Sequence, residues 1–209
     1  MQRFICFIII VFILSNAYAQ KWKQQLDSVL TIIEKDELFH GQILIAEQGK
    51  IVFNKSYGKL PNQDTPITTK TPLAVKSITK AFTAAAVLNL EQEGKLNLSD
   101  EVQVYFSKWP YDGVTIKHLL TMTSGLPNFI EMAVNKGDTT KYMENLDIVD
   151  LVSEYPVNVE TPAMRYNYQN SNYITLAALV EKISGMSYEN YVSQNIFQPL
   201  ELNNTYFHN

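Results

Sequence analysis

Cysteine is almost absent from this sequence: the one cysteine, Cys6, lies close to the N-terminus. A chain without further cysteines is compatible with an oxidising compartment. A basic stripe is also missing. Charges of both signs are scattered along the chain and the formal net charge is −4, so nucleic acid is not an expected partner. The histidines lack the spacing of metal ligands, and neither a metal nor an organic cofactor is expected.

Gly, Ser, Pro or Gln runs and internal repeats are absent as well, so the 209 residues predict one domain. The longest apolar run, Phe4 to Leu14, follows Arg3 and precedes small residues at Ala17 and Ala19. This layout predicts a secretory signal, residues 1–19, cleaved after Ala19. The alternative is a membrane anchor, but the run is too short for a bilayer core of about 30 Å. We therefore expect a secreted or periplasmic domain, residues 20–209, with no stable membrane span after cleavage.

Hydrophobic spacing then predicts an α+β chain that is mostly helical. Apolar residues at helical spacing predict a helix over 22–38. Two β-rich stretches around Glu47-Gln48-Gly49 predict a hairpin. Further helices are expected over 77–93, from Ser99, over 115–120, 146–154, 171–184 and 187–197. The helix over 77–93 is apolar on nearly all sides, which predicts burial in the middle of a fold.

A Ser-x-x-Lys pair on one helical face is a candidate acylating site, because the lysine amine can reach the serine hydroxyl. The pattern occurs twice, from Ser56 to Lys59 and from Ser77 to Lys80. Ser56 ends a predicted strand, whereas Ser77 stands where the apolar helix begins. From the residues alone, Ser77 is either a nucleophile beside Lys80 or an ordinary helix N-cap.

A Tyr-x-Asn triplet is the second candidate, because a tyrosine can relay a proton and an asparagine amide can hold a carbonyl. It also occurs twice. Tyr168-Gln169-Asn170 is predicted in a loop before a helix, whereas Tyr188 lies in an amphipathic helix where packing is expected. For Tyr168 the alternative is a half-buried packing aromatic, which the residues alone favour.

Four stretches in this order resemble the serine β-lactamase-related family, which comprises class C β-lactamases, D-alanyl-D-alanine carboxypeptidases and related esterases. They are Phe39–Ala46, Ser77–Asp100, Ile116–Pro127 and Pro162–Tyr173. The resemblance implies a β-lactamase/DD-peptidase-like fold, in which the hairpin belongs to an antiparallel sheet that this chain leaves incomplete. The Thr123-Ser124-Gly125 turn matches a structural signature of the family.

The resemblance also implies roles. Ser77 is acylated, and its backbone N–H is one oxyanion donor. Lys80 accepts or shuttles the Ser77 proton, Tyr168 is a second proton relay, and Asn170 positions the substrate. The substrate is a small molecule or a peptidoglycan peptide: a β-lactam, a D-Ala-D-Ala peptide or an ester.

Departures from the family pattern lie mainly at the end of the chain. The family's third motif, Lys-Thr-Gly or His-x-Gly, does not occur, and its place in the order falls beyond Asn209. Met122 and Ala163 replace a common histidine and a common glycine, away from the expected chemistry. We therefore expect a C-terminally truncated hydrolase. The alternative is an inactive fragment, a pseudoenzyme or a ligand-binding remnant.

Overall fold

The computed structural model describes residues 21–61, 63–136, 143–154 and 160–207. The signal predicted for residues 1–19 lies outside them. The chain divides into two compact units, Met1–Ala74 and Val75–Asn209. Among the described residues, no helix is both long enough and apolar enough to span a membrane.

The first unit consists of a helix and a β-hairpin. Helix α1 covers residues 21–35, and strands β1 (Gly41–Glu47) and β2 (Lys50–Tyr57) pair antiparallel. Gln48 and Gly49, with φ of 49° and 75°, form the tight turn between the strands. Such left-handed two-residue turns match the natural twist of a hairpin. The predicted hairpin is confirmed.

Helix α1 ends before the predicted boundary at residue 38 because its last turn is closed locally. Glu37 adopts a left-handed conformation with φ of 55°, and the Leu38 N–H donates to the Ile33 carbonyl at 3.0 Å. This is the pattern of a helix C-cap, which satisfies a carbonyl that the helix itself leaves free.

A small core joins α1 to the hairpin. Leu30, Phe53 and Tyr57 are its buried members. Asp27 on α1 accepts hydrogen bonds from the Tyr57 hydroxyl at 2.8 Å and from Lys55 Nζ at 2.6 Å. Burial, together with the neighbouring Asp27 carboxylate, raises the pKa of Tyr57 to about 12. The hydrogen bonds from Lys55 and Tyr57 lower the pKa of Asp27.

The second unit is helical in the residues described. Its elements are a 3₁₀ turn (Lys76–Ile78), α2 (Thr79–Gln92), a 3₁₀ turn (Val102–Val104), α3 (Ile116–Leu120), α4 (Phe129–Lys136), α5 (Asn145–Glu154), α6 (Asn170–Ser184), α7 (Tyr188–Val192) and a π turn (Ser193–Phe197). Helix α6 lies at the centre and contacts α2, α3, α4, α5 and α7. Its residues from Thr175 to Val180 are all buried. Together with the hairpin, these helices confirm the predicted α+β class.

Two helix ends agree with the capping signals in the sequence. Thr115 caps α3 by accepting from the His118 N–H, while His118 Nδ1 accepts from the Thr115 N–H. This reciprocal pair satisfies two donors that a helix start leaves free. Gly185, with φ of 70°, closes α6.

Other expectations were wrong in detail. The predicted helix over 187–197 is α7 followed by a π turn, and the one expected from Ser99 is the 3₁₀ turn Val102–Val104. Helix α2 buries only the side that faces α6 and α7. Its opposite apolar stripe, at positions 81, 85 and 88 and at position 78 in the preceding turn, is exposed. The apolar pattern predicts a tendency to be buried, but it does not identify the neighbouring elements that would cover each side of the helix.

Candidate active site

The hydroxyl of Ser77 lies at the entrance to α2, where the chain turns sharply. Ser77 is the middle residue of the 3₁₀ turn, and Lys76 before it has a left-handed φ of 49°. The N-cap positions of the turn and of α2 are Val75 and Ile78, and neither makes a side-chain cap. The N-cap interpretation of Ser77 is therefore wrong, because the residue lies inside the turn with its hydroxyl turned toward other side chains.

The structure brings together the four side chains that the two sequence motifs singled out. Lys80 Nζ donates to Ser77 Oγ at 3.2 Å and to Asn170 Oδ1 at 2.8 Å. The Tyr168 hydroxyl donates to Ser77 Oγ at 2.9 Å. Tyr168 lies in the loop before α6, as expected, whereas Asn170 is the first residue of α6 rather than a loop residue.

The Lys80 ammonium determines the electrostatics of this cluster. It lies 5.0 Å from the centre of the Tyr168 ring and 5.9 Å from that of Tyr173, within the range of cation–π attraction. Hydrogen bonding from Lys80 is the main influence that lowers the pKa of the Tyr168 phenol. The Ser77 hydrogen bond and the Lys80 charge act in the same direction. The Tyr168 phenol therefore gives up its proton more readily than a free tyrosine, so its phenolate forms more easily.

The loop that carries Tyr168 is held by the Thr123-Ser124-Gly125 turn and the residue before it. The Ala163 N–H donates to the Thr123 carbonyl and the Asn167 N–H to the Met122 carbonyl, both at 2.8 Å. Gly125 has φ of 75°, and a Cβ there would lie 2.2 Å from the Glu160 carbonyl oxygen. The glycine is therefore required both for its conformation and for the close approach of the loop.

An open cleft of about 310 Å³ lies beside the cluster, within the helical unit. Ser77, Lys80 and Asn170 line its polar edge. Side chains from α2, α4, α6 and α7 form a largely apolar wall, namely Thr83, Ile130, Tyr173, Ile174, Ala177 and Tyr188. A concave, mostly apolar space with a few convergent polar groups is typical of a small-molecule site.

The competing copies of the two motifs have other partners. Ser56 is on β2, and the side chain of Lys59 forms an ion pair with Asp64 rather than a hydrogen bond with Ser56. Tyr188 is buried, as its predicted packing role requires, and its hydroxyl lies 2.6 Å from Thr83 Oγ1. The choice of Ser77 and Tyr168 over these copies stays a prediction.

Three residues around the cluster were not predicted from the sequence. Tyr173 contacts the Lys80 ammonium with its ring, and its hydroxyl donates to the Leu120 carbonyl at 3.1 Å. Asn172 is a buried polar residue one turn into α6. Thr83 lies three residues after Lys80, a spacing that places it on the same side of α2. Within the described ranges, no group of three His, Cys, Asp or Glu residues could hold a metal ion.

Comparisons with known proteins identify similar chains. A family model described as Beta-lactamase matches residues 32–209. Penicillin-binding protein 4* of Bacillus subtilis (strain 168) is 34% identical over 192 residues, which are 91% of this chain and 43% of that protein. Protein flp of Staphylococcus aureus (strain MRSA252) is 31% identical over 193 residues, which are 88% of this chain and 38% of that protein.

Among solved structures, the octameric penicillin-binding protein homologue from Pyrococcus abyssi is similar with a TM-score of 0.72 at 30% identity. That similarity covers 86% of this chain and 43% of the archaeal one. The chain thus spans about two fifths of the length of each of these three proteins.

Proposed function

This chain belongs to the β-lactamase family, and from that membership we propose that it is a secreted serine hydrolase that forms an acyl-enzyme on Ser77. The observation that carries the proposal is the contact of one hydroxyl with two proton-handling groups. Lys80 Nζ and the Tyr168 hydroxyl both lie within hydrogen-bond distance of Ser77 Oγ, at 3.2 and 2.9 Å. An activated nucleophile needs a base within such reach.

In the proposed acylation, Tyr168 in its phenolate form takes the proton of the Ser77 hydroxyl. Ser77 Oγ then bonds to the substrate carbonyl carbon, and the carbonyl π electrons move to its oxygen. The Lys80 ammonium stabilises the phenolate beforehand, in keeping with the lowered pKa of Tyr168. The Ser77 backbone N–H is proposed as one donor to the oxyanion.

Collapse of this intermediate breaks the bond from the carbonyl carbon to the leaving nitrogen or oxygen. That atom leaves with the proton held by Tyr168. Water then attacks the Ser77 ester, loses a proton to the same relay, and releases the acid with the serine restored. Asn170, anchored to Lys80 at 2.8 Å, is proposed to orient the substrate carbonyl through the rest of its amide.

The proposed substrates are β-lactams, D-Ala-D-Ala peptides or esters. Two of the similar proteins carry penicillin binding in their names, which supports a penicillin as the first probe. The open cleft with its apolar wall is large enough for a small acyl group. Residues 20–209 are proposed as one hydrolase domain exported by the signal over residues 1–19.

Covalent labelling tests the proposal on the full chain. A fluorescent penicillin and a fluorophosphonate are each incubated with the purified protein, and the labelled peptide is identified by mass spectrometry. We expect one label per chain, on Ser77, and none on the Ser77→Ala variant. Ser56→Ala is the matched control, because it removes the serine of the other Ser-x-x-Lys copy. This variant should keep the label.

The outcomes separate the alternatives. A chain that unfolds cooperatively in urea, and is therefore natively packed, but that neither probe labels would contradict the hydrolase proposal and favour a ligand-binding remnant. Labelling by the fluorophosphonate alone would direct the substrate search toward esters. N-terminal sequencing of the exported protein tests cleavage after Ala19 in the same preparation.

A further inference from the structure

A buried side chain just after the Tyr168-Gln169-Asn170 triplet forms a hydrogen bond to the backbone of the triplet, although it belongs to neither sequence motif. We propose that Asn172 is a positioning residue. Its amide links the Ser124 hydroxyl to the backbone of the triplet and thereby holds Tyr168 and Asn170 at Ser77. The proposal rests on the proposed function, because it matters for catalysis only if those two side chains act on Ser77.

Two hydrogen bonds make the link. The Ser124 hydroxyl donates to Asn172 Oδ1 at 2.5 Å, and Asn172 Nδ2 donates to the Gln169 carbonyl at 3.0 Å. Ser124 and Asn172 are each 1% exposed, so water does not offer a ready substitute for either bond. One amide therefore connects the turn to the residue that stands between Tyr168 and Asn170.

The link to Asn172 acts on the backbone of the triplet, in addition to the side-chain contacts of Tyr168 with Ser77 and of Asn170 with Lys80. Gln169 occupies the N-cap position of α6 with extended backbone angles of −134° and 130°, and its own side chain forms no cap. Tyr168 is 47% exposed. The polypeptide thus changes from loop to helix at Gln169. The carbonyl of Gln169 accepts hydrogen bonds from both the side-chain amide and the backbone N–H of Asn172. A small shift there moves both functional side chains together.

The other end of the link is itself held by hydrogen bonds. Ser124 lies in the turn whose neighbours accept the loop hydrogen bonds described above, and its Oγ also accepts from the Leu126 N–H at 3.2 Å. The link therefore joins the triplet to the structure that supports the preceding loop. Loss of the Asn172 amide would leave the loop attached at its base, while its functional end would lose the connection to Ser124 and keep only the weaker backbone bond at Gln169.

Ser171 provides a matched control in the adjacent position. It is also 1% exposed and also joins α6 to the segment after the turn. Its hydroxyl donates to the Pro127 carbonyl at 2.5 Å and accepts from the Phe129 N–H at 2.8 Å. Neither bond reaches the triplet. Ser171→Ala therefore removes a comparable buried hydroxyl without removing the proposed link.

The experiment compares Asn172→Ala, Ser124→Ala and Ser171→Ala with the unmodified full chain. Urea unfolding measures stability. The rate of fluorophosphonate labelling between pH 5 and 11 measures the reactivity of Ser77. The third readout is independent of reactivity: tyrosines labelled with ¹³C at the ring carbon bearing the hydroxyl are titrated by NMR. Tyr168→Phe assigns the signal of interest.

We expect Asn172→Ala to lower the labelling rate by about tenfold to a hundredfold, the scale of a misplacement near 1 Å. The Tyr168 phenol should titrate at higher pH than in the unmodified chain, because it moves away from Lys80. Ser124→Ala should shift both quantities in the same direction by less. A variant that carries both Asn172→Ala and Ser124→Ala, made as a fourth protein, should match Asn172→Ala, because the two residues form one link. Ser171→Ala should lower stability alone.

An Asn172→Ala protein that is folded, labels at the unmodified rate and keeps the Tyr168 titration unchanged would overturn the proposal. Equal effects of Ser171→Ala on the titration would do so too, since they would show general loosening. If Asn172→Ala does not fold, Ser124→Ala decides on the same criteria. If no variant or parent is labelled, the proposed function fails, and the NMR titration still tests the link.

Discussion

Replacing Thr83 by valine is expected to destabilise the helical unit more than replacing its partner Tyr188 by phenylalanine. The two hydroxyl oxygens lie 2.6 Å apart, and both residues are buried. The Thr83 hydroxyl also donates to the Thr79 carbonyl at 3.3 Å. Since Thr83 uses its one proton there, Tyr188 is the donor in the shorter bond.

This assignment makes the two single substitutions unequal. Thr83→Val leaves the buried Tyr188 hydroxyl without an acceptor, which costs about 1–3 kcal/mol. Tyr188→Phe removes the donor, but Thr83 keeps its bond to the Thr79 carbonyl, so the cost is about 0.5–1.5 kcal/mol. The double substitution should cost less than the sum, by about 1 kcal/mol, because the second change removes a group that the first left unpaired.

Tryptophan fluorescence makes the measurement specific to the helical unit. The chain has two tryptophans, Trp22 in the first unit and Trp109 in the core of the second. In a Trp22→Phe background, urea unfolding followed by fluorescence reports on Trp109 alone. The four members of the double-mutant cycle are compared at one pH, with the denaturant dependence checked for constancy.

The reasoning would be refuted by strict additivity of the two changes. A larger loss for Tyr188→Phe than for Thr83→Val would contradict the donor assignment specifically.

Three other predictions follow from the contacts described. Gly125→Ala should lower the free energy of unfolding in urea by at least about 1–2 kcal/mol, because alanine is strained in the left-handed conformation and its Cβ would also clash with the Glu160 carbonyl. Gly113→Ala is the control: Gly113 has φ of 70° and nothing within 4 Å, so this variant should show the conformational cost alone. The pKa of Tyr57 in the folded chain, about 12, is above the ordinary value near 10, so the stability that Tyr57 adds to the fold is complete below pH 10 and is lost as pH rises toward 12. Tyr57→Phe should remove this alkaline loss of stability, which Trp22 fluorescence measures. Lys80→Met should move the Tyr168 titration to higher pH in the ¹³C NMR experiment, and an unchanged titration would show that Lys80 does not control the phenol.

Local signals predicted most of the fold. The hairpin follows from two β-rich runs around Gln48-Gly49, and α3 and α6 follow from Thr115 and Gly185. Helix α4 was not predicted, although Asn128 gives a start signal: its side chain accepts from the Ile130 N–H at 3.1 Å. Its apolar residues also recur at helical spacing, from Phe129 to Met132, but eight residues make only about two turns, so this signal is short.

The site was predictable as pairs but not as a cluster. Spacing alone places Lys80 near Ser77, and the Tyr-x-Asn pattern selects Tyr168 and Asn170. The contact between the two pairs depends on how α2 packs against α6. Hydrophobic periodicity does not predict that packing, whereas the resemblance to a family implied that the four residues share one site. Asn172 carries no motif, and its importance depends on a hydrogen bond to a serine 48 positions earlier. Such a link is invisible to local patterns.

The contact between Lys80 and Asn170 joins residues 90 positions apart in the chain. No isolated helix contains the complete cluster, and helices that form without docking cannot create it. The fraction of chains labelled at Ser77 therefore measures how many molecules have packed correctly. Far-ultraviolet circular dichroism measures only helix content, whether or not the helices have docked. Together the two measurements distinguish a natively packed chain from a collapsed one.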